Sequence, residues 1–125
     1  MIVVDASAFI DAIDGRSDVV DRIAGQDIHA PYLLDIEVVG ALRRLERAGR
    51  FSSDGSHRAL AILERADIRR HPHRPLIQAM WALRGRVSAY DAVYVALAAV
   101  LEAPLVTTDR RLASLTDLPC VVEGL

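Results

Sequence analysis

The alternation of short β-branched apolar runs with longer segments of helical periodicity is the feature that most constrains the fold of this chain. The run Ile2–Val4 is followed at once by a helical pattern over Ala6–Ile13, and the run Leu105–Thr107 follows a strongly apolar helical segment, Ala89–Leu101. Strands that alternate with helices favour an α/β layer fold. The pattern therefore predicts a central, mostly parallel sheet of four or five short strands, flanked by helices on both faces.

Weaker apolar patterns and the positions of Gly and Pro predict the remaining elements. Helices are expected around residues 19–23, from 31 to 48, from 53 onward and over 76–83, with strands over 27–30, 67–70 and 120–122. The helix from Ser53 is expected to turn Leu60, Ile62 and Leu63 inward, and residues 71–75 are expected to form a loop. The chain has 125 residues and no internal repeat or linker, so residues 1–125 are expected to form a single domain.

The composition excludes disorder and several kinds of phosphate chemistry. Hydrophobic residues make up 52% of the chain and charged residues 26%, which is enough for a core and a polar surface. All 15 basic residues are Arg, so the Lys of a phosphate-binding loop, of a Schiff-base enzyme or of an aspartyl-phosphate site is missing. The formal net charge of −2 gives no global attraction to nucleic acid. Any binding of nucleic acid therefore depends on a local cluster of Arg side chains.

The sequence carries no feature of export or of membrane insertion. Asp5 interrupts the apolar start of the chain, where a secretion signal needs apolar continuity. The longest purely apolar run, residues 92–101, is well short of the roughly 18 residues that suggest a membrane span. The lone Cys120 cannot form an intramolecular disulfide, which fits a reducing compartment. We therefore expect a soluble cytoplasmic protein that does not contact a membrane.

Acidic residues fall where open α/β sheets bind their ligands, beyond the carboxyl ends of the strands. Asp5 follows the first predicted strand, and Asp109 follows the Leu105–Thr107 strand. Asp91 lies in the first turn of the apolar helix, and Glu37 lies about one and a half turns into the long helix. If the sheet is parallel, these four carboxylates converge, and they cannot all ionise close together without a cation. Oxygen ligands without clustered Cys or His favour Mg²⁺ or Mn²⁺ over zinc.

Each of these acids also has an ordinary structural role. Asp5 and Asp109 can cap the helices that follow them, because Asp is among the best N-cap residues. Ser88 and Asp91 have the spacing of a capping box, in which the Asp91 carboxylate reaches back to the Ser88 amide. Glu37 can lie at a solvated edge of its helix. If all of these roles are only structural, the chain is a non-catalytic binding module whose acids are mainly helix caps.

Four segments of the chain, residues 1–8, 35–42, 90–98 and 105–112, resemble the PIN domain, and most of all the VapC-type toxins of bacterial toxin–antitoxin pairs. The likeness runs in order over the whole chain. Its most specific parts are the Tyr-Asp pair that opens the Ala-rich helix and the Thr-Thr-Asp sequence at the end of a strand. The resemblance places the family's metal-binding acids on Asp5, Glu37, Asp91 and Asp109, with Ser7 and Thr107 as hydroxyl groups near the site.

The resemblance implies a Mg²⁺- or Mn²⁺-dependent endoribonuclease that hydrolyses RNA phosphodiester bonds with a metal-activated water. It also implies a small VapB-type antitoxin whose C-terminal segment covers the acidic groove, and a homodimer that forms a heterotetramer or a larger assembly with that antitoxin. Trp81, Met80 and the Ala-rich helix are candidates for the apolar dimer interface. Arg110 and Arg111 stand where some relatives carry a further carboxylate, which weakens the case for a second metal ion.

An acidic cleft repels RNA, so positive charge must flank it. Arg110 and Arg111 directly follow the last acid, and we expect them to bind RNA phosphates, because a guanidinium group pairs well with phosphate. Further candidates lie on the long helix and beyond it: Arg43, Arg44, Arg47, Arg50, Arg69, Arg70, Arg74, Arg84 and Arg86. For most of these the ordinary role is that of a solvated surface charge.

Overall fold

Five short strands and seven α-helices follow one another along the chain in the computed structural model, which describes residues 1–125. The strands are β1 (Ile2–Val4), β2 (Ile28–Pro31), β3 (Ile68–His71), β4 (Leu105–Thr107) and β5 (Val122–Gly124). The helices are α1 (Ala6–Ile13), α2 (Ser17–Ile23), α3 (Leu33–Arg47), α4 (Ser53–Arg65), α5 (Ile77–Ala82), α6 (Ala89–Leu101) and α7 (Arg110–Ala113). A short 3₁₀ helix, Arg74–Leu76, leads into α5.

All four strand pairings in the sheet are parallel, in the order β3-β2-β1-β4-β5. The chain first builds outward from β1 to β3 and then crosses back to place β4 on the other side of β1. The carboxyl ends of β1 and β4 therefore flank a topological switch point, the position at which open α/β sheets bind ligands. The predicted parallel sheet is confirmed, with five strands.

Helices cover both faces of the sheet because the side chains of β1 alternate between those faces. Val3 belongs to a large core cluster with residues of α3, α4 and α6, such as Leu34. Ile2 and Val4 belong to a smaller cluster with Ala8 of α1. Fully burying an aliphatic side chain of this size stabilises the fold by roughly 1.5–3 kcal/mol. Strand β1 is thus packed on both faces, which fixes the position of Asp5, the residue that follows it.

Helix α6 is buried on nearly all sides, as its Ala-rich sequence predicts. Residues 92–98 are all buried, so this stretch contributes to the core and offers no exposed surface for a dimer interface. Trp81 on α5, in contrast, is 64% exposed and lies on the surface. None of the helices, α6 included, combines the length and the apolar character needed to cross a membrane.

Polar caps and a left-handed glycine set the ends of helices around the groove described below. The Asp5 carboxylate accepts a hydrogen bond from the amide of Ala8 at the start of α1, and the Ser88 hydroxyl accepts one from the amide of Asp91 at the start of α6. Gly49, just after α3, has a φ of +74°, a conformation that glycine adopts without the steric cost of a Cβ atom. The sequence-predicted end of the long helix at Gly49 is therefore confirmed.

Two predicted boundaries are wrong at the β2–β3 edge of the sheet. Pro31 does not begin the long helix: it is the last residue of β2, and α3 begins at Leu33. His71, predicted to lie in a loop, is the last residue of β3 and pairs in register with Pro31. A proline is tolerated at a strand end because few ladder hydrogen bonds are required there. The pairing also brings His71 next to His29, with 2.8 Å between Nε2 of His71 and Nδ1 of His29.

Two further expectations are corrected by pairing and packing. The last strand lies two residues later than predicted, at Val122–Gly124, because Leu105 of β4 pairs with Val122. Ile62 does not face inward, since it is 47% exposed. The buried residues of α4 are Ser56, Ala59 and Leu63. Their three- and four-residue spacing places Ile62 at the margin of the buried stripe.

Candidate active site

A groove with a volume of 570 Å³ opens beyond the carboxyl ends of β1 and β4. It is bordered by α1, α3 and the first turns of α6. The four predicted acids all line it: Asp5, Glu37, Asp91 and Asp109. Two more carboxylates, Asp11 and Asp14, and two guanidinium groups, Arg44 and Arg50, complete its charged lining. With six carboxylates against two arginines, the groove is acidic and attracts cations.

Asp5 lies at the floor of this groove, directly after β1, and is 7% exposed. Its Oδ1 accepts hydrogen bonds from the Ala8 amide at 2.9 Å and from the Ser7 hydroxyl at 2.7 Å. Its Oδ2 accepts one from the Thr107 hydroxyl at 2.5 Å. Asp5 therefore caps α1 and also faces the groove. A carboxylate has about four acceptor positions, so these three donors leave one free on Oδ2.

The hydroxyl groups of Ser7 and Thr107 tie Asp5 to the loop that follows β4. Their oxygens are 3.2 Å apart, but each hydroxyl has a single hydrogen, which it donates to Asp5. Each oxygen also accepts from the loop: Ser7 Oγ from the Thr108 amide and Thr107 Oγ1 from the Asp109 amide, both at 3.0 Å. The loop that carries Asp109 is thereby positioned against Asp5.

Burial raises the pKa of Asp5 above its ordinary value, and the negative charge of Asp109 acts in the same direction. The three donated hydrogen bonds oppose this shift without cancelling it. The charged form of Asp5 is thus disfavoured by loss of solvent and by a like charge. A cation bound in the groove relieves both effects.

Glu37 projects from α3 into the groove, where Tyr94 of α6 holds it. The Tyr94 hydroxyl donates to Oε2 of Glu37 at 2.8 Å, and Tyr94 is 2% exposed. Burial raises the pKa of Glu37, and the charges of Asp5 and Asp91 raise it further, whereas the Tyr94 hydrogen bond lowers it. The pKa of Tyr94 is strongly raised, first by burial and then by the charge of Glu37, so its hydroxyl stays a donor.

Asp11, Asp14 and, with more consequence for the site, Tyr94 are groove residues that the sequence analysis missed. Tyr94 lies three residues after Asp91 on a helix, a spacing that places both side chains on one face. The spacing indicates that Tyr94 lies on the same helix face as Asp91. It indicates a contact with Glu37 only when the position of Glu37 on a different helix is known.

Asp109 and Asp91 are joined by Arg111. Oδ1 of Asp109 accepts from the amides of Arg111 at 2.9 Å and Leu112 at 3.3 Å, so Asp109 caps α7. Nη2 of Arg111 lies 2.6 Å from Oδ2 of Asp91 and 3.3 Å from Oδ2 of Asp109. The Asp91 carboxylate therefore does not reach back to the Ser88 amide as predicted. Charge explains the difference, because a guanidinium donor binds a carboxylate more strongly than a neutral amide does.

The other arginines have different surroundings. Arg70 is fixed by Asp35, whose Oδ1 and Oδ2 lie 3.0 and 2.9 Å from its Nε, and by the Leu63 carbonyl oxygen. Arg86 donates to the carbonyl oxygens of residues 116 and 117. Both are structural contacts on parts of the surface that do not line the groove. Arg110 is exposed and lies outside the groove lining, whereas Arg44 and Arg50 are part of it.

The donor set of the groove fits a hard divalent cation. Its ligand atoms are carboxylate and hydroxyl oxygens, without Cys or His. No three His, Cys, Asp or Glu side chains come together closely enough to hold an ion by themselves. Mg²⁺ in proteins is usually bound through one or two carboxylates, several waters and substrate phosphates, so it does not require such a cluster. The groove thus suits Mg²⁺ or Mn²⁺ better than zinc, which favours closed sites of Cys and His.

The parallel sheet with acids gathered at its switch point defines a class of α/β domains with an acidic groove. Comparison with known proteins identifies the family. The family model of the PIN domain matches residues 2–118, so the chain belongs to the PIN-domain family. Among its relatives, ribonuclease VapC1 of Mycobacterium tuberculosis (strain ATCC 25618 / H37Rv) is 44% identical over an alignment of 126 positions, which covers 97% of this chain and 95% of the relative.

Solved structures share the fold. The crystal structure of PAE2754 from Pyrobaculum aerophilum matches with a TM-score of 0.72 and 24% identity, covering 97% of this chain and 82% of that one. A toxin-antitoxin complex from Klebsiella pneumoniae matches with a TM-score of 0.64 and 15% identity, covering 97% of this chain and 99% of that one. At these identities the likeness establishes the arrangement of strands and helices.

Proposed function

We propose that this protein is a Mg²⁺- or Mn²⁺-dependent endoribonuclease and the toxin of a toxin–antitoxin pair. The observation that carries the proposal is the convergence of Asp5, Glu37, Asp91 and Asp109 on one groove at the switch point of the sheet. The identity of 44% with a protein named ribonuclease VapC1 supports the same activity. Hydrolysis of an RNA phosphodiester bond is the reaction that such a groove is suited to perform.

The four acids are the proposed ligands of the metal ion, directly or through water. A divalent ion bound by them acts as a Lewis acid on a phosphate oxygen and lowers the pKa of a bound water. Asp5 contributes Oδ2, which retains a free acceptor position. Ser7 and Thr107 keep the Asp5 carboxylate in a single orientation through the bonds at 2.7 and 2.5 Å.

Glu37 is suited to accept a proton from an attacking water. Its raised pKa makes it a stronger base than a fully solvated carboxylate, and Tyr94 fixes its orientation through the 2.8 Å hydrogen bond. Asp91 and Asp109 also line the groove, where both pair with Arg111. RNA approaches this acidic surface only where arginines offset its charge, as Arg44 and Arg50 do within the groove and Arg110 and Arg111 do beyond it.

The proposed protein partner is a small VapB-type antitoxin that covers the acidic groove. The fold is shared with a toxin-antitoxin complex from Klebsiella pneumoniae. A homodimer, joined with the antitoxin in a heterotetramer or larger assembly, is part of this proposal. Exposed apolar residues away from the groove offer surface for such assembly, including Trp81 and Val100.

The alternative, a binding module whose acids only cap helices, is not favoured. Asp5 and Asp109 do cap α1 and α7, but both also line the groove. Glu37 caps nothing: it lies in the second turn of α3 and is held by Tyr94 from another helix. A capping role leaves this cross-helix contact unexplained.

Cleavage of total bacterial RNA tests the proposal without a guess about the substrate. The antitoxin-free protein is incubated with RNA in Mg²⁺, in Mn²⁺ and in a chelator, and new 5′ ends are mapped by sequencing. Asp5→Asn is expected to lower cleavage by about 10²- to 10⁴-fold. Asp14→Asn is the matched control, because it removes the same charge from the same groove at a position outside the four proposed ligands.

Discrete cuts that require both the ion and Asp5 establish the activity and name the class of RNA. Cleavage that persists in the chelator contradicts the metal dependence. Cleavage that is equal for wild type and Asp5→Asn contradicts the assignment of the site. If the folded protein cleaves no RNA in any condition, the result favours the non-catalytic binding module over the nuclease.

A further inference from the structure

A single guanidinium group pairs with two of the four groove acids and offsets one of their two negative charges. Nη2 of Arg111 lies 2.6 Å from Oδ2 of Asp91 and 3.3 Å from Oδ2 of Asp109. Asp91 belongs to α6 and Asp109 caps α7, so these contacts link two elements at one end of the groove. A positive charge thus already stands beside two of the carboxylates that the proposed function assigns to the metal ion.

The Arg111 contacts are of the kind that another cation can replace. The Arg111 side chain is 61% exposed, and the two carboxylates are the only hydrogen-bond partners of its guanidinium group. Arg70 shows the contrasting case: its side chain is 25% exposed and also donates to two main-chain carbonyl oxygens. The side chains of Asp91 and Asp109 are only 20% and 36% exposed, so release of Arg111 costs little when another cation takes its place beside them.

We propose that Arg111 is an internal counter-ion, which holds Asp91 and Asp109 in the metal-free protein and is displaced when a divalent ion binds. A guanidinium group and a divalent ion compete for these oxygens, because two cations a few ångströms apart repel each other. The inference rests on the proposed function, since it takes Asp91 and Asp109 as metal ligands. It adds that the metal-binding step and the release of Arg111 are one event.

Release gives Arg111 a second role. Once it leaves the carboxylates, it is an exposed cation beside Arg110 at the edge of the groove. There it is free to pair with an RNA phosphate, which the same carboxylates repel in the metal-free protein. Binding of the ion and binding of RNA therefore reinforce each other, and this coupling is reciprocal by thermodynamic necessity.

The first test is the affinity for Mn²⁺, measured by electron paramagnetic resonance of the free ion, which does not depend on activity. Arg111→Ala is expected to bind Mn²⁺ about threefold to tenfold more tightly than wild type, because no guanidinium group then competes with the ion for the two carboxylates. Arg110→Ala is the matched control: it removes the same charge one residue away, where no ion pair is made. Its affinity is expected to stay within about twofold of wild type, since a solvated charge is screened by salt.

The second test is chemical access to the Arg111 guanidinium. An arginine-selective dicarbonyl reagent is applied to the Arg110→Ala variant, and the modified peptide is quantified by mass spectrometry. Without Mn²⁺ the pairing with Asp91 and Asp109 is expected to slow modification of Arg111. With saturating Mn²⁺ the modification is expected to become faster, whereas the rate at exposed Arg47 stays constant as an internal reference.

The outcomes separate this inference from the proposed function. Equal Mn²⁺ affinity for wild type and Arg111→Ala, together with loss of binding in Asp5→Asn, overturns the inference and leaves the metal site standing. Weaker Mn²⁺ binding by Arg111→Ala, or a modification rate that Mn²⁺ does not change, also overturns it. If wild type binds no Mn²⁺ at all, the proposed metal dependence fails, and the inference fails with it.

Discussion

The Tyr94 hydroxyl donates a hydrogen bond to Oε2 of Glu37 at 2.8 Å and so joins α6 to α3 across the acidic groove. Tyr94 is anchored in the core, where it is 2% exposed, while Glu37 is only partly buried. The core therefore determines the orientation of a groove carboxylate through one side chain. A mutation of Tyr94 therefore changes the hydrogen bonding and orientation of Glu37 without changing the charge of the groove.

Tyr94→Phe is expected to lower cleavage and to raise the pKa of Glu37. The lost hydrogen bond favours the charged form of Glu37, so its removal adds to the upward shift that burial already causes. If Glu37 acts as a base, the acidic limb of the pH–rate profile moves to higher pH. A net hydrogen bond to a charged group contributes about 1.5–3 kcal/mol, so the rate near neutral pH is expected to fall by roughly tenfold or more.

The control for this variant is Tyr90→Phe. Tyr90 also lines the groove, and its replacement removes the same hydroxyl group. Tyr90 is 62% exposed, and the hydrogen bond to Glu37 comes from Tyr94. Its pH–rate profile is expected to match that of wild type. A profile for Tyr94→Phe that differs from wild type only in height, with no shift along the pH axis, contradicts the role assigned to Glu37.

Asp5→Asn is expected to stabilise the metal-free protein at neutral pH, although the same substitution is expected to lower cleavage. Burial raises the pKa of Asp5 in the folded state, so the folded chain holds this proton more tightly than the unfolded chain does. The stability that Asp5 contributes is therefore greatest below the unfolded pKa and is lost as the pH rises through the folded pKa. Asparagine keeps an oxygen for the Ala8 cap and carries no charge to bury, and these gains are expected to outweigh the loss of the Thr107 hydrogen bond, which an amide nitrogen cannot accept.

Urea unfolding in a chelator, repeated at several pH values, measures this effect. The difference in unfolding free energy between Asp5→Asn and wild type is expected to grow with pH and then level off. Taking the difference removes the pH dependence of the remaining carboxylates, such as Asp18 and Asp27, whose pKa values are lowered by hydrogen bonds from Arg16 and His29, respectively. A typical point mutation destabilises by about 1 kcal/mol, so a neutral-pH loss of that size contradicts the prediction.

Much of the fold follows from local sequence patterns, whereas its remaining boundaries depend on pairing. The ends of α1 and α6 agree with the sequence analysis because a polar cap lies next to each helix. The ends of β2, β3 and β5 do not, since a strand continues only as far as its neighbour offers hydrogen-bonding partners. Pro31 remains in β2 because β3 extends to His71 beside it, and no pattern within either segment contains that information.

The same division applies to the site. The positions of Asp5 and Asp109 follow from the ends of two strands, which the sequence predicts. The contacts of Tyr94 with Glu37 and of Arg111 with Asp91 depend on how separate helices pack. They join residues 57 and 20 positions apart in the chain. The sequence therefore indicates the four carboxylates and the hydroxyl groups that hold Asp5, but not the pairing of Glu37 with Tyr94 or of Asp91 with Arg111.

Gly124→Ala is expected to destabilise the fold by about 1–3 kcal/mol, because it overpacks the contact between β5 and α7. A Cβ atom at position 124 would lie 2.6 Å from the Cβ atom of Ala113, which is itself rigid. Gly85→Ala is the control, since no atom lies within 4 Å of a Cβ atom there. Thermal unfolding of both variants checks this prediction. Equal stability of the two would show that α7 shifts to accommodate the added methyl group without a loss of stability.

Arg44→Glu is expected to weaken RNA binding, because Arg44 is one of two arginines within the groove lining. Each phosphate contact to single-stranded RNA that is lost reduces the slope of log affinity against log salt by about 0.7. Arg47→Glu makes the same charge change on the same helix, but Arg47 lies outside the groove lining. The slope of log affinity against log salt for this variant is therefore expected to match that of the protein with both arginines intact. Both changes are made in Asp5→Asn, so that the RNA stays intact, and affinity is read by fluorescence anisotropy between about 50 and 200 mM salt. If the two variants lose affinity equally, the effect is one of net charge, and Arg44 makes no specific contact with the RNA.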